Sequence, residues 1–247
     1  RLGRAPLFAR LFHERSPVAF GLKMAELCAG GALVGHEPGL AFVAGYFTHL
    51  CLDRALCPKL EALASRLKRP KETIAVARHR IEWSQALLYQ RELYGADLLG
   101  EAQLRSKMQL TKRGVQARGV GRGLYEGIRL GCEEVHGRAP SKLQVDSWVR
   151  GLYLQALLMS SPLGRAWGVA VGAGLERRDI FRGPELDLAA EVESALALAR
   201  QILARLWALM AQGRFTARAR ARFLDDFPEG GLMGCAASSR MVADVVR

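Results

Sequence analysis

Apolar positions recur at helical spacing through most of the 247-residue chain. No stretch shows the sustained apolar–polar alternation of a half-buried strand. Ser16-Pro17 sets an N-cap before a proline at the first helical position, and Gly30-Gly31 stops the helix that follows. Pro38 opens a second helix, expected to end at Cys57 before Pro58, with a short helix over residues 59–67 behind it. A third helix fits residues 71–94 and ends at Gly95. Residues 96–123 are polar and carry Gly114, Gly119, Gly121 and Gly123, so they read as a loop with room for a short helix. Helical periodicity returns over residues 124–135. Ser141 caps a helix that reaches Met159, and residues 186–210 form an amphipathic helix with acids early and arginines late, as the helix dipole favours. The pattern predicts an all-α fold. It divides the chain into a helical domain over residues 1–212 and a basic, partly ordered extension over residues 213–247. In that extension residues 214–222 hold four arginines and no acid. They read as a solvated helix face, or more sharply as a contact for an anionic surface.

Composition narrows the class. Half of the residues are hydrophobic, 7% aromatic and 24% charged, which are the proportions of a folded globular protein and exclude wholesale disorder. Lysine and arginine number 36 against 24 acids, a net charge of +12 with a pI near 10.0. Such a field attracts nucleic acid, anionic membrane or phosphate-bearing substrates without choosing among them. No apolar run reaches the roughly 18 residues of a membrane-spanning helix; the nearest, residues 39–52, is shorter and holds His49. The chain opens on Arg1, so a leader is neither found nor excluded. Cys28, Cys51, Cys57, Cys132 and Cys235 are odd in number, irregular in spacing and without a CxxC pair. They read as small buried hydrophobes and lean towards a reducing compartment.

The candidate chemistry lies on the second helix. From Gly39 to Cys57 it is apolar nearly all round, the pattern of a buried helix. His49 and Asp53 are four apart and share a face, with Cys57 four further along the same stripe. An ionised carboxylate in such a helix costs several kcal/mol unless it is paired or metal-bound. Three partners are open to Asp53: a local hydrogen bond from His49, an ion pair with an arginine such as Arg54, or a divalent metal, since imidazole, carboxylate and thiolate all bind zinc. Two further pairs extend the third option. His13-Glu14 precedes the first capped helix, and His79 and Glu82 lie three apart on the third. Other signals lead nowhere: the Gly/Arg stretch at residues 118–123 follows no strand and fails as a dinucleotide loop. Gly168, Gly172 and Gly174 read as close packing or a bend, His36 as an exposed helix start, His136 as a charge at a helix C-terminus. No GxSxG occurs.

The order of these motifs resembles the bacterial zinc-dependent phospholipase C family, the all-α group related to the catalytic domain of clostridial alpha-toxin. Residues 11–20, Leu-Phe-His13-Glu14-Arg-Ser16-Pro-Val-Ala-Phe20, resemble that family's His-Glu-x-Thr-x-x-Phe-Phe stretch. Gly45-Tyr-Phe-Thr-His49-Leu-Cys-Leu-Asp53-Arg54-Ala-Leu-Cys57-Pro58 is similar to its Gly-Phe-x-x-His-x-x-x-Asp-Arg-x-x-His-Pro signature, and His79-Arg-Ile-Glu82 to its His-x-x-Glu helix. Cys57 stands where that signature has histidine. Gln85 and Ala86 occupy the region where the family often has another acid, and the family's upstream Gly-Pro-Asp segment has no counterpart here.

The resemblance implies a hydrolase in which a zinc-activated water cleaves a phospholipid phosphodiester. It implies His13, His49, Asp53 and His79 as zinc ligands, Cys57 as a replacement ligand, and Glu82 as a ligand or as the group that orients an imidazole. Asp53 and Glu82 are the residues it would place in catalysis. The number of zinc ions stays open. The implied partner is a phospholipid or another anionic phosphate ester, with peripheral contact to an anionic membrane and no transmembrane segment. Two alternatives stand beside it: a non-catalytic relative whose metal or His–Asp network serves folding while the basic surface binds an anionic partner, and a zinc nuclease, for which aromatic clusters that stack bases are lacking.

Overall fold

The structure, a computed structural model, describes residues 11–13, 15–31, 36–94, 121–164, 166, 172, 175–213 and 215–229. Among them the fold is all-α, as the periodicity predicts. After a helical turn at residues 11–13 come α1 (Pro17–Ala29), α2 (His36–Leu67), α3 (Ile74–Tyr94), α4 (Arg122–His136), α5 (Lys142–Ser160), α6 (Arg177–Phe181), α7 (Leu188–Ala211) and α8 (Ala217–Asp226). The loop expected after α3 lies outside the described residues as far as Val120. α2 and α7 each contain a window of mean hydropathy 1.2, long and apolar enough to cross a membrane by length and composition alone. Those windows are 28% and 22% buried; on α7 the buried residues include Ala195, Ala199, Ile202 and Leu206, a stripe at helical spacing.

Contacts divide the chain into two compact units. The first comprises Arg1–Lys59, Gly121–Ser141 and Leu188–Arg247; the second comprises Leu60–Val120 and Lys142–Asp187. The chain leaves the first unit twice and returns to it, so the division follows contacts distant in sequence and is marked by no linker composition.

In the first unit α1 packs against α4 and α7. Phe20, Met24, Phe47 and Leu50 are fully buried. Glycine sets two of the approaches. A Cβ on Gly131 of α4 would lie 3.0 Å from the Phe20 ring, and one on Gly21 of α1 would lie 2.8 Å from the Phe47 ring. Phe47 also meets Phe223 and Phe227, with centroids 5.7 and 6.3 Å apart.

Those last contacts overturn the boundary at residue 213 for residues 215–229. Phe223 and Phe227 are 3% and 1% exposed. The Arg54 guanidinium lies 3.9 Å from the Phe227 ring centroid and donates to the Pro228 carbonyl, and Arg220 pairs with Glu26 at 2.5 Å. The arginine count conceals the decisive feature of this stretch, two phenylalanines four apart, which is an apolar stripe on a helix.

α2 also departs from expectation, running through Pro58 as far as Leu67. Proline removes one helical hydrogen bond and costs about 3 kcal/mol in a helix interior. Leu60 and Leu63 beyond it are buried, and two such side chains return roughly 3–6 kcal/mol. Packing therefore carries the helix across a break that local rules predict.

In the second unit α3 packs on α6. Gln85 donates to the Ile180 carbonyl, and Arg66 pairs with Glu185 at 2.7 Å and Asp179 at 3.5 Å. Gly172 does mark close packing, since a Cβ there would stand 2.9 Å from the Ser84 hydroxyl.

Cys28, Cys51 and Cys132 are free and buried. Burial pushes the thiols of Cys28 and Cys51 up to about 11 and that of Cys132 to about 12, so they behave as the expected small hydrophobes. Cys57 differs: it is disulfide-bonded.

If residues 215–229 belong to the first core, Phe227→Ala should cost about 3–5 kcal/mol, the range for a large buried ring, in denaturant unfolding at neutral pH. A side chain on an outlying extension would change the midpoint negligibly.

Candidate metal centre

His49 and Asp53 stand one turn apart on α2, on one face, as their spacing predicts. His13 arrives from the helical turn that precedes α1. Asp53 Oδ2 lies 3.3 Å from His13 Nδ1 and 3.3 Å from His49 Nε2. The two imidazoles meet edge to face with centroids 5.1 Å apart. One ligand atom from each of the three residues falls within 4.8 Å of the others.

Two of the donor separations, 3.3 Å each, are those a zinc ion would need. Bonds of about 2.0–2.2 Å at tetrahedral angles put neighbouring ligand atoms about 3.3–3.6 Å apart. His13 Nδ1 is buried and has no hydrogen-bond partner among the described residues, so a buried nitrogen is left for another acceptor of its lone pair or proton. Burial pushes the His49 pKa down, its neighbour His13 adds to this, and the Asp53 carboxylate opposes both. With 52% of its side chain in solvent, His49 has much of that shift screened by water. The direction favours neutral imidazole, the form that binds a metal.

Of the three partners open to Asp53, imidazole is therefore the one in place. Arg54 is turned to Phe227 and Pro228. Each of the other described candidates has a contact of its own. The Cys57 sulfur is spent in a disulfide. His79 and Glu82 belong to the second unit. There the His79 ring packs on Trp83 at 5.8 Å, and Glu82 accepts from Arg78 at 2.7 Å. Arg78 and its neighbour Arg80 are both about 95% buried, and a buried guanidinium requires a carboxylate partner: Glu82 serves Arg78, and Glu72 serves Arg80 at 3.1 Å. Glu14 lies outside the described residues.

Two residues that shape the site were not singled out for it by sequence. The Tyr46 hydroxyl, one turn before His49, donates to the carbonyls of Phe12 at 3.0 Å and Pro17 at 3.1 Å. Burial, with Glu229, Cys132 and Asp53 adding to it, pushes its pKa well above 10, so it stays a donor. Glu229 caps α1. Its carboxylate accepts from Val18 N at 2.9 Å and Ala19 N at 2.7 Å across some 210 residues of sequence. Ser16 does occupy the N-cap position, but its side chain makes no cap hydrogen bond and its backbone is left-handed, φ 52°. The local signal for Tyr46 was its hydroxyl at a position where the resembling signature has phenylalanine. Glu229 carried none, being distant in the chain.

His136 is not the helix-terminal charge that its position suggests. Its ring stacks on Phe20 at 6.0 Å and meets Phe12 edge-on at 6.2 Å, beneath the turn that carries His13. Nε2 is buried without a partner among the described residues. Desolvation, with Arg15 adding to it, lowers its pKa below 6.5.

Compared with known proteins, the chain matches no family model, no curated protein and no solved structure.

The lowered His136 pKa has a definite sign. The unfolded chain takes up the proton first as pH falls through 6.5, so stability declines from there down to the folded-state value and this group contributes no further change below it. His136→Phe, which keeps the ring stack, should show a smaller loss of urea stability between pH 7.5 and 5.5 than wild type. Equal losses in the two proteins would show that His136 is not desolvated.

Proposed function

We propose that the chain binds zinc through His13, His49 and Asp53 and acts as a phosphodiester hydrolase of the phospholipase C type on a phospholipid or a related anionic phosphate ester. The observation that carries this reading is the convergence of the three ligand atoms within 4.8 Å, from residues that occupy the corresponding places in the motifs of the resembling family. Zinc bound there would supply Lewis-acid polarisation of a phosphoryl oxygen and lower the pKa of water. The chain's own residues set the conditions. Asp53 brings one carboxylate oxygen within 3.3 Å of both imidazoles. The exposure of His49 leaves an approach from solvent. The net charge of +12 draws anionic esters. On α7 Arg200 and Trp207 are both exposed and seven apart, on one face, an apolar ring beside a cation as an anionic lipid surface favours.

A second reading rests on the shortened donor set. With Cys57 in a disulfide and Glu82 paired to Arg78, three of the proposed side chains remain together, enough for a metal or a His–Asp network that serves folding in a non-catalytic relative.

Protein purified without chelator should carry about one zinc per chain, and His49→Ala should lose it. Chelator-sensitive hydrolysis should then be faster on phosphatidylcholine or an anionic phospholipid than on single-stranded DNA. Zinc well below one equivalent, unaffected by His49→Ala, rules out the metal reading. Stoichiometric zinc without turnover on any of the three substrates selects the non-catalytic one, and turnover confined to DNA selects a nuclease.

A further inference from the structure

We infer that Tyr46 and Glu229 are positioning residues, a two-point latch that holds the His13-bearing turn against α2 so that His13 reaches His49 and Asp53. The inference rests on the three-residue centre proposed above and adds what keeps it assembled.

His49 and Asp53 are held in mutual register by their own helix. His13 is not. It sits on a short helical turn joined to α1 through Ser16, whose left-handed backbone (φ 52°, ψ 48°) is uncommon for a residue with a side chain. Such a conformation is strained and persists where its surroundings over-determine it. Here the surroundings can be named. Tyr46 projects from α2 and bonds the carbonyl just before His13, that of Phe12, together with the carbonyl of Pro17, just after Ser16. One hydroxyl thus spans the strained residue from the helix that carries the other two ligands.

Glu229 supplies the second point. Pro17 has no N–H to satisfy, and Phe20 N is bonded to the Ser16 carbonyl at 3.0 Å. The two remaining first-turn donors, Val18 N and Ala19 N, both go to Glu229. A serine in the usual extended N-cap conformation would supply such a bond locally; the left-handed Ser16 does not, and a remote carboxylate takes its place. The segment that delivers Glu229 is fastened to α2 beside Asp53, through Arg54 on Phe227 and the Pro228 carbonyl. Both points of the latch therefore refer the His13 turn to α2.

Tyr46→Phe removes only the hydroxyl and should weaken zinc binding about tenfold, the lower range for loss of a group that orients a metal ligand. It should also alter the visible spectrum of the cobalt(II)-loaded protein, which reports ligand geometry. Glu229→Ala should act in the same direction and speed amide exchange at Val18 and Ala19. A merely structural role would lower the unfolding midpoint and leave the zinc affinity and cobalt spectrum of the folded fraction unchanged; that result in both variants overturns the inference. If wild-type protein takes up neither metal, the metal reading has failed. Exchange in the metal-free protein then decides the latch: faster exchange over residues 11–20 in Tyr46→Phe supports it, and unchanged protection overturns it.

Discussion

Asp53 places a carboxylate on an apolar helix with 18% of its side chain exposed, and the first unit is arranged around its compensation. Leaving such a group unpaired would cost several kcal/mol. It is met by two imidazoles sharing one oxygen at 3.3 Å, and they come from different elements. The compensation therefore depends on the separation and angle between α1 and α2. Gly21 allows α1 to lie on the Phe47 ring at a distance no other residue permits without displacement, and Phe47 is backed in turn by Phe223 and Phe227. The phenylalanines are the foundation on which a polar centre can be held in register.

The basic excess takes on a different character in this setting. Arg78 and Arg80 are buried with carboxylate partners, Arg66 bridges two acids, Arg54 lies on an aromatic ring and Arg220 reaches Glu26. Of these, Arg66, Arg54 and Arg220 link separate elements. Buried pairs of this kind are poor evidence of net stability, because desolvation offsets much of the attraction, but removing one partner is costly. Glu82 is thus tied down by a structural need, which sequence spacing alone could not distinguish from a metal-facing role. A similar competition decides Cys57, whose sulfur enters a disulfide, while the other described thiols are held protonated by burial.

Much of the fold was legible in the chain. Helical periodicity, Pro17 at a helix start and Gly137 after His136 identify elements by local chemistry, because helix hydrogen bonds and caps connect residues only a few positions apart. The pairing of His49 with Asp53 was legible for the same reason: 3.6 residues per turn puts positions four apart on one face. The motif resemblance also brought His13 into consideration, and the structure joins it to that pair.

What the sequence by itself determined is the helical class, most helix positions and the one-turn His49–Asp53 pair, all consequences of short-range geometry. Only the tertiary structure decided that α2 crosses Pro58, that residues 215–229 belong to the first core, that His136 is desolvated between two phenylalanines, and that Glu229 caps a helix some 210 residues away. Each of these depends on burial against a distant partner. Apolar packing is nearly indifferent to sequence separation once loop closure has been met, so no local pattern could state which helix would supply the partner.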